Sequence, residues 1–130
     1  MNYKVFITEY AQRHFIKSFK KKYKNIWNET FFAINNVLSR IDSLIQTSKA
    51  EKIHICDNWY IAKCEFKIVW SNESPKTSGN RIIVYVDNKE MSVYILLLYT
   101  KTDVMWGNET AWREKQVKEN FKDIVNLFKF

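Results

Sequence analysis

Residues 76–101, KTSGNRIIVYVDNKEMSVYILLLYTK, decide the fold. Two strand-like runs, RIIVYV from Arg81 and VYILLLY from Val93, flank the polar stretch DNKE at Asp87 to Glu90, which is the pattern of an antiparallel hairpin. These runs hold the most apolar residues of the chain and begin and end on basic side chains, so the strands read as scaffold and the cations at their ends as candidate site. The turn can hold two, three or four residues, and a three-residue loop exchanges the two faces of the last strand. Either Tyr94, Leu96 and Leu98 or Ile95, Leu97 and Tyr99 then face outward, and the sequence does not choose.

Upstream, KIHIC, the pair Asp57-Asn58 and an alternating segment from Trp59 to Trp70 predict a second hairpin. Asp and Asn both tolerate the positive φ that a two-residue loop demands. That loop pairs Cys56 with Trp59, His54 with Ile61 and Lys52 with Lys63. Along the long strand Tyr60, Ala62, Cys64, Phe66, Ile68 and Trp70 share one face, while Lys63, Glu65 and Lys67 share the other. Cys56 and Cys64 then lie on opposite faces and cannot bond.

The first half of the chain reads as a short strand over Tyr3 to Thr8 followed by two helices. Thr8 is a candidate N-cap, and Ala11, Phe15, Phe19 and Tyr23 recur every fourth residue with Arg13, Lys17, Lys20, Lys21 and Lys24 elsewhere. A second helix starts near Ile26, and its seam of Trp27, Phe31, Ile34, Leu38, Ile41 and Ile45 alternates spacings of four and three. The segment Gln46 to Ala50 ends it. Near the other terminus, Asn108 to about Phe128 predicts a final helix with Trp112, Val117, Phe121, Ile124, Val125 and Phe128 as its apolar positions. It packs on the domain or awaits a partner.

At 130 residues, 46% of them hydrophobic and 16% aromatic, the chain is expected to form one globular domain over residues 1–130. The architecture expected is α+β, with an N-terminal strand and an antiparallel helix pair packed on a mostly antiparallel sheet, and a C-terminal helix. The net charge of +7 is uneven, because residues 1–25 carry seven cations against Glu9 alone. Such a balance attracts phosphate-rich or acidic partners through the long-range field. No apolar run approaches the roughly 18 residues that span a membrane, and a cytoplasmic location with no membrane partner is expected. Two cysteines make neither a disulfide framework nor a metal set.

No Gly-rich phosphate loop, helical His pair or recognisable Ser or Cys nucleophile is present. What stands out is Lys63, Lys67, Arg81 and Lys101, with Tyr85 and Tyr99 nearby, converging on one side and one end of the sheet. Cations gathered in this way suit phosphate, and a guanidinium can hold the charge that develops in phosphoryl transfer. A lysine crowded by like charges can serve as a general base toward a ribose 2′-hydroxyl. Tyr85 and Tyr99 either stack on an unpaired base or belong to the core. His54 shares the face of Lys63 and is a further nucleic-acid contact or an ordinary edge histidine.

The order of elements, with the strings KTSGNRIIVY at 76–85, YTKTD at 99–103 and IAKCEF at 61–66, resembles the RelE/ParE superfamily of toxins from type II toxin–antitoxin systems. Within it the HigB-like branch of RelE is most similar. Asn80 stands where that branch usually has a second glycine, and Glu65 where it often has arginine. The resemblance implies a RelE-like fold and a ribosome-dependent mRNA endonuclease that needs no cofactor or metal, with mRNA, the ribosome and a cognate antitoxin as partners. It implies Lys63 or Lys67 as general base or phosphate clamp, Arg81 as transition-state stabiliser and Lys101 as a further phosphate contact. The alternative is a ParE-like gyrase inhibitor or a non-catalytic binding module of the same fold.

Overall fold

A computed structural model describes residues 2–104 and 108–123. Five strands, β1 (Lys4–Ile7), β2 (Ala50–Ile55), β3 (Trp59–Phe66), β4 (Asn80–Asp87) and β5 (Ser92–Thr100), form one sheet in the order β1-β5-β4-β3-β2. β1 runs parallel to β5, and the other neighbours are antiparallel. The expected α+β architecture, a mostly antiparallel sheet with a helix pair, is what forms.

The turn between β4 and β5 holds four residues, 88–91, because Asp87 pairs with Ser92. The Asp87 carboxylate shapes it, with Oδ1 accepting from the backbone N–H groups of Lys89 and Glu90, each at 3.0 Å. Farther along, the ladder slips: Val84 pairs with Ile95 but Ile83 pairs with Leu97, so Leu96 is an extra residue in β5. A bulge of this kind places two successive side chains on one face. Val93, Ile95 and Leu98 therefore pack toward the helix pair, while Leu96, Leu97 and Tyr99 pack on the opposite face. Neither alternating set expected from the sequence is correct as a whole.

The helix pair covers the first face. α1 begins at Glu9–Ala11, passes through a π-helical turn at Gln12–Ile16 and continues as Lys17–Tyr23. The wider turn lets adjacent residues point different ways. Ile16 is buried beneath the pair, and Phe15 leans toward the opposite side of the molecule, 6.3 Å from the ring of Trp112. At Lys24 the backbone turns through φ 53°, and α2 (Asn25–Leu38) follows. It stops at Leu38, seven residues short of the seam read from the sequence, and a separate turn, α3 (Ile41–Leu44), carries buried Ile41. Ala50 opens β2 rather than closing a helix.

Two further departures concern β2 and β3. Cys56 bonds to Trp59 and His54 pairs with Ile61 as read, but an irregularity between Lys52 and His54 puts Lys52 opposite Ala62 and Glu51 opposite Lys63. β3 ends at Phe66, not Trp70. Trp70 has φ 69° and is 80% exposed, so it has left the sheet. The short helix α4 (Pro75–Ser78) is held by a Ser74–Thr77 capping box and ends at Gly79, whose φ of 77° suits a residue without Cβ.

α5 (Glu109–Asn120) is capped by Asn108, and its Trp112 and Val117, with Phe121 at its C-cap, pack on the second face of the sheet against Ile61, Ile83, Leu96 and Leu97. Ile124, Val125 and Phe128 lie outside the described residues. The helix thus packs on the body of the protein rather than awaiting a partner.

Thr8 ties the start of α1 to β5. Its Oγ1 accepts from the Ala11 N–H at 3.2 Å and donates to the Ile95 carbonyl at 2.8 Å. Thr8→Ala removes both bonds and should cost about 1–2 kcal/mol in urea unfolding, with Thr8→Ser restoring most of it.

Candidate functional site

The face of β3, β4 and β5 turned away from the helix pair carries two cross-strand rows. One is Lys63, Ile83 and Leu97, and the next, nearer the end of the sheet, is Glu65, Arg81 and Tyr99. Just beyond the second row the chain continues into Lys67 after β3 and Lys101 after β5. The chain at Lys67 and at Lys101 thus leaves the sheet at the end that holds Arg81, with Lys63 one row inward.

Each cation has a different setting. Lys101 opens a 3₁₀ turn (Lys101–Asp103) and is exposed, and its backbone N–H donates to the Gly79 carbonyl at 2.9 Å. The left-handed Gly79 thus ties the end of α4 to the start of this turn. Lys67 is also exposed, its Nζ donating to the Ser71 carbonyl at 3.2 Å. Lys63 is only 21% exposed at its side chain and meets Glu51 at 3.1 Å, so its immediate partner is a carboxylate and not a second cation. Arg81 is 3% exposed, and its Nη1 donates to the Asn80 carbonyl at 3.0 Å. Of these four, the cations that reach solvent are Lys67 and Lys101, with the guanidinium sunk between the Glu65 and Tyr99 strands.

The aromatic residues divide. Tyr99 is 2% exposed, packs edge-on against Trp112 with centroids 4.8 Å apart, and donates its hydroxyl to Glu109 Oε2 at 2.6 Å. Arg113 approaches the same oxygen at 3.8 Å. Burial, then the Glu109 hydrogen bond and charge, push the Tyr99 hydroxyl well above the usual phenol range. Tyr99 is a core residue in this arrangement.

Tyr85 lies at the other end of the face, half-buried and stacked on Trp59 at 5.4 Å, with Tyr94 at 6.0 Å on its other side. His54 stacks on Trp59 at 6.0 Å, and Phe6 on Tyr94 at 5.2 Å. The rings make one ladder with a member on every strand. Tyr85 and His54 belong to it and stand apart from the cationic end.

Helix α5 brings in two residues the sequence reading missed, Glu109 and Arg113, which lie with Trp112 over the face that carries Tyr99. Their spacing of three and four along one helix was a usable signal, but nothing in the sequence says which surface that helix meets. Cys64 is buried, and burial followed by the nearby Glu65 carboxylate pushes its thiol up to about 12, which leaves it unreactive. Among the described residues no group of three or more His, Cys, Asp or Glu side chains is placed to hold a metal ion. Nor is any helix among them long and apolar enough to cross a membrane.

No protein-family model matches the chain, and no curated protein matches it. Among solved structures it is similar to a chain of the archaeal RelE–RelB complex from Pyrococcus horikoshii OT3, with a TM-score of 0.57 and 15% identity over 80% of this chain and 100% of that one. At that identity the likeness is one of fold, and the fold here is RelE-like.

Tyr99→Phe leaves Glu109 with one partner fewer and should cost about 1–3 kcal/mol. The raised Tyr99 ionisation means that the folded state keeps a proton the unfolded chain loses near pH 10, so stability is complete below that pH and falls above it. The melting temperature of Tyr99→Phe should therefore decline less steeply than that of the parent between about pH 9 and 11.

Proposed function

We propose that the chain is the toxin of a type II toxin–antitoxin system, a ribosome-dependent mRNA endonuclease of the HigB-like RelE branch that acts in the cytoplasm as a single domain. The observation that carries this reading is the gathering of Lys67, Arg81 and Lys101 at one end of a RelE-like sheet. The strings at 76–85 and 99–103, which carry the family resemblance, are the ones that build this end. The archaeal RelE is found in complex with RelB, and that pairing supports a cognate antitoxin for this chain.

The reaction is in-line attack of a ribose 2′-hydroxyl on the adjacent phosphorus. A base takes the 2′-proton, the 2′-oxygen–phosphorus bond forms as the bond to the 5′-oxygen breaks, and that oxygen takes up a proton from solvent, leaving a 2′,3′-cyclic phosphate, so atoms and charge balance without a metal. Lys101 clamps the phosphate from the solvent side. Lys67, in its neutral form, is the base, since Lys63 is engaged by Glu51. Arg81 stabilises the pentavalent oxygens, which requires the surface above it to open as RNA enters.

The burial of Arg81, with Glu65 opposite it in register, favours a second reading in which the same fold binds without cutting, as a ParE-like gyrase inhibitor or a nucleic-acid-binding module.

Expression of the parent chain in bacteria should arrest growth and translation, and sequenced mRNA ends should cluster at fixed codon positions. Arg81→Ala should restore growth and Lys101→Ala should lower cleavage by about tenfold or more, the scale of one lost charge-assisted contact to the transition state. Growth arrest with intact mRNA and inhibited supercoiling would favour the second reading, and a harmless parent chain would defeat the first.

A further inference from the structure

The outer face of α2 is almost without charge. Its sequence, NIWNETFFAINNVL, holds one charged residue, Glu29, in a chain of which 27% is charged. Helical spacing sets the side turned to solvent: Asn25, Asn28, Phe32, Asn35 and Asn36 are exposed, while Trp27, Thr30, Ile34 and Leu38 are buried beneath. Phe32 stands at the centre of this strip, 69% exposed. Ile26 and Val37 are exposed on its flank, and Trp70 is tied alongside by its indole N–H, which donates to Glu29 Oε2 at 2.6 Å.

Solvation alone does not account for this composition. Asparagine is a poor residue for a helix interior, because its amide competes with the backbone for hydrogen bonds, and lysine or glutamate would serve better on a wet face. Four asparagines around an exposed phenylalanine match instead the core of an interface, which is depleted of charge and built on an aromatic anchor. An amide both donates and accepts, so a face of asparagines can bond to a copy of itself.

The bordering charges select the geometry. Positive charge collects along α1 and at the N-terminal end of α2, on exposed Lys17, Lys20, Lys21, Lys22 and Lys24. The C-terminal end carries Arg40 and Asp42, and the loop beside Glu29 carries Lys67 and Glu73, so each of these borders is neutral in sum. Parallel packing of α2 on α2 would bring the two lysine clusters together, whereas antiparallel packing holds them at opposite ends.

We propose that two copies of this chain associate through α2, antiparallel about a two-fold axis at Phe32. The two Phe32 rings then meet, and Asn28 of each copy lies level with Asn36 of the other, both four residues from Phe32. The pairing stands apart from the toxin reading, since α2 covers the face of the sheet opposite the one that carries Arg81 and Tyr99.

Sedimentation velocity of the full chain, from low micromolar to several hundred micromolar, tests this. The mass should rise from 15.7 kDa toward twice that value, and added salt should favour the larger species by screening the +7 charge of each copy. Phe32→Asp should weaken association at least about tenfold with an unchanged melting temperature, because the ring is exposed in the single chain. Two double variants read the register. Asn28→Lys with Asn36→Lys sets like charges across the interface and should weaken it about tenfold, whereas Asn28→Lys with Asn36→Asp sets lysine level with aspartate and should match or exceed the parent's affinity. A single monomeric species at every concentration, or a dimer indifferent to Phe32→Asp, would overturn the proposal. A monomeric parent that binds the protein encoded beside its gene, with that binding lost in Phe32→Asp, would overturn it too and assign the face to a partner of another sequence.

Discussion

The extra residue in β5 is the constraint on which the rest of the molecule depends. With β4 and β5 central in the sheet and covered on both faces, a strictly alternating β5 would offer one set of side chains to each layer along its whole length. The slip at Leu96 changes that division halfway. It gives the α5 side two successive leucines and Tyr99, and returns Leu98 to the helix pair. Leu96, Leu97 and Leu98 are all fully buried, and each such side chain contributes about 1.5–3 kcal/mol through burial. Both hydrophobic layers are thus set by one irregularity.

The same slip explains how much of the fold could be read from sequence. The two hairpins, the Thr8 cap, the basic outer face of α1 and the buried seam Trp27, Ile34, Leu38 and Ile41 follow from periodicity and local chemistry, and the structure has them. The bulges at Leu96 and near Ile53 do not follow, because every residue beside them is compatible with either face and only packing on two layers selects one. The early end of α2 is of the same kind: the apolar spacing continues through Leu38 and Ile41 while the backbone breaks at Arg40. The π-helical turn of α1 is legible only in retrospect, as two adjacent apolar residues, Phe15 and Ile16, that need different neighbours.

For the candidate residues, the strand order brings the chain at Lys67 and Lys101 to the end of the sheet that holds Arg81, an arrangement that follows from the hairpins. Side-chain environment does not. Lys63 and Glu51 meet because of the β2 irregularity, and Arg81 and Tyr99 are buried on a face to which α5 brings Trp112 and the Glu109–Arg113 pair. A face read as open is largely roofed. Under the proposed function, a phosphate reaching Arg81 would compete with packing that also stabilises the fold, so chemistry and stability would draw on the same residues.

The position of β1 carries a consequence of another kind. It lies at the edge of the sheet as a parallel neighbour of β5, and the Thr8 to Ile95 bond spans 87 residues of chain. Such a pairing closes a long loop before it yields any contact energy, which raises the topological barrier to folding. During synthesis, β1 leaves the ribosome before β5 and must wait unpaired until β5 emerges. The sheet, and with it the cationic end it assembles, cannot be completed until Thr100 has been made.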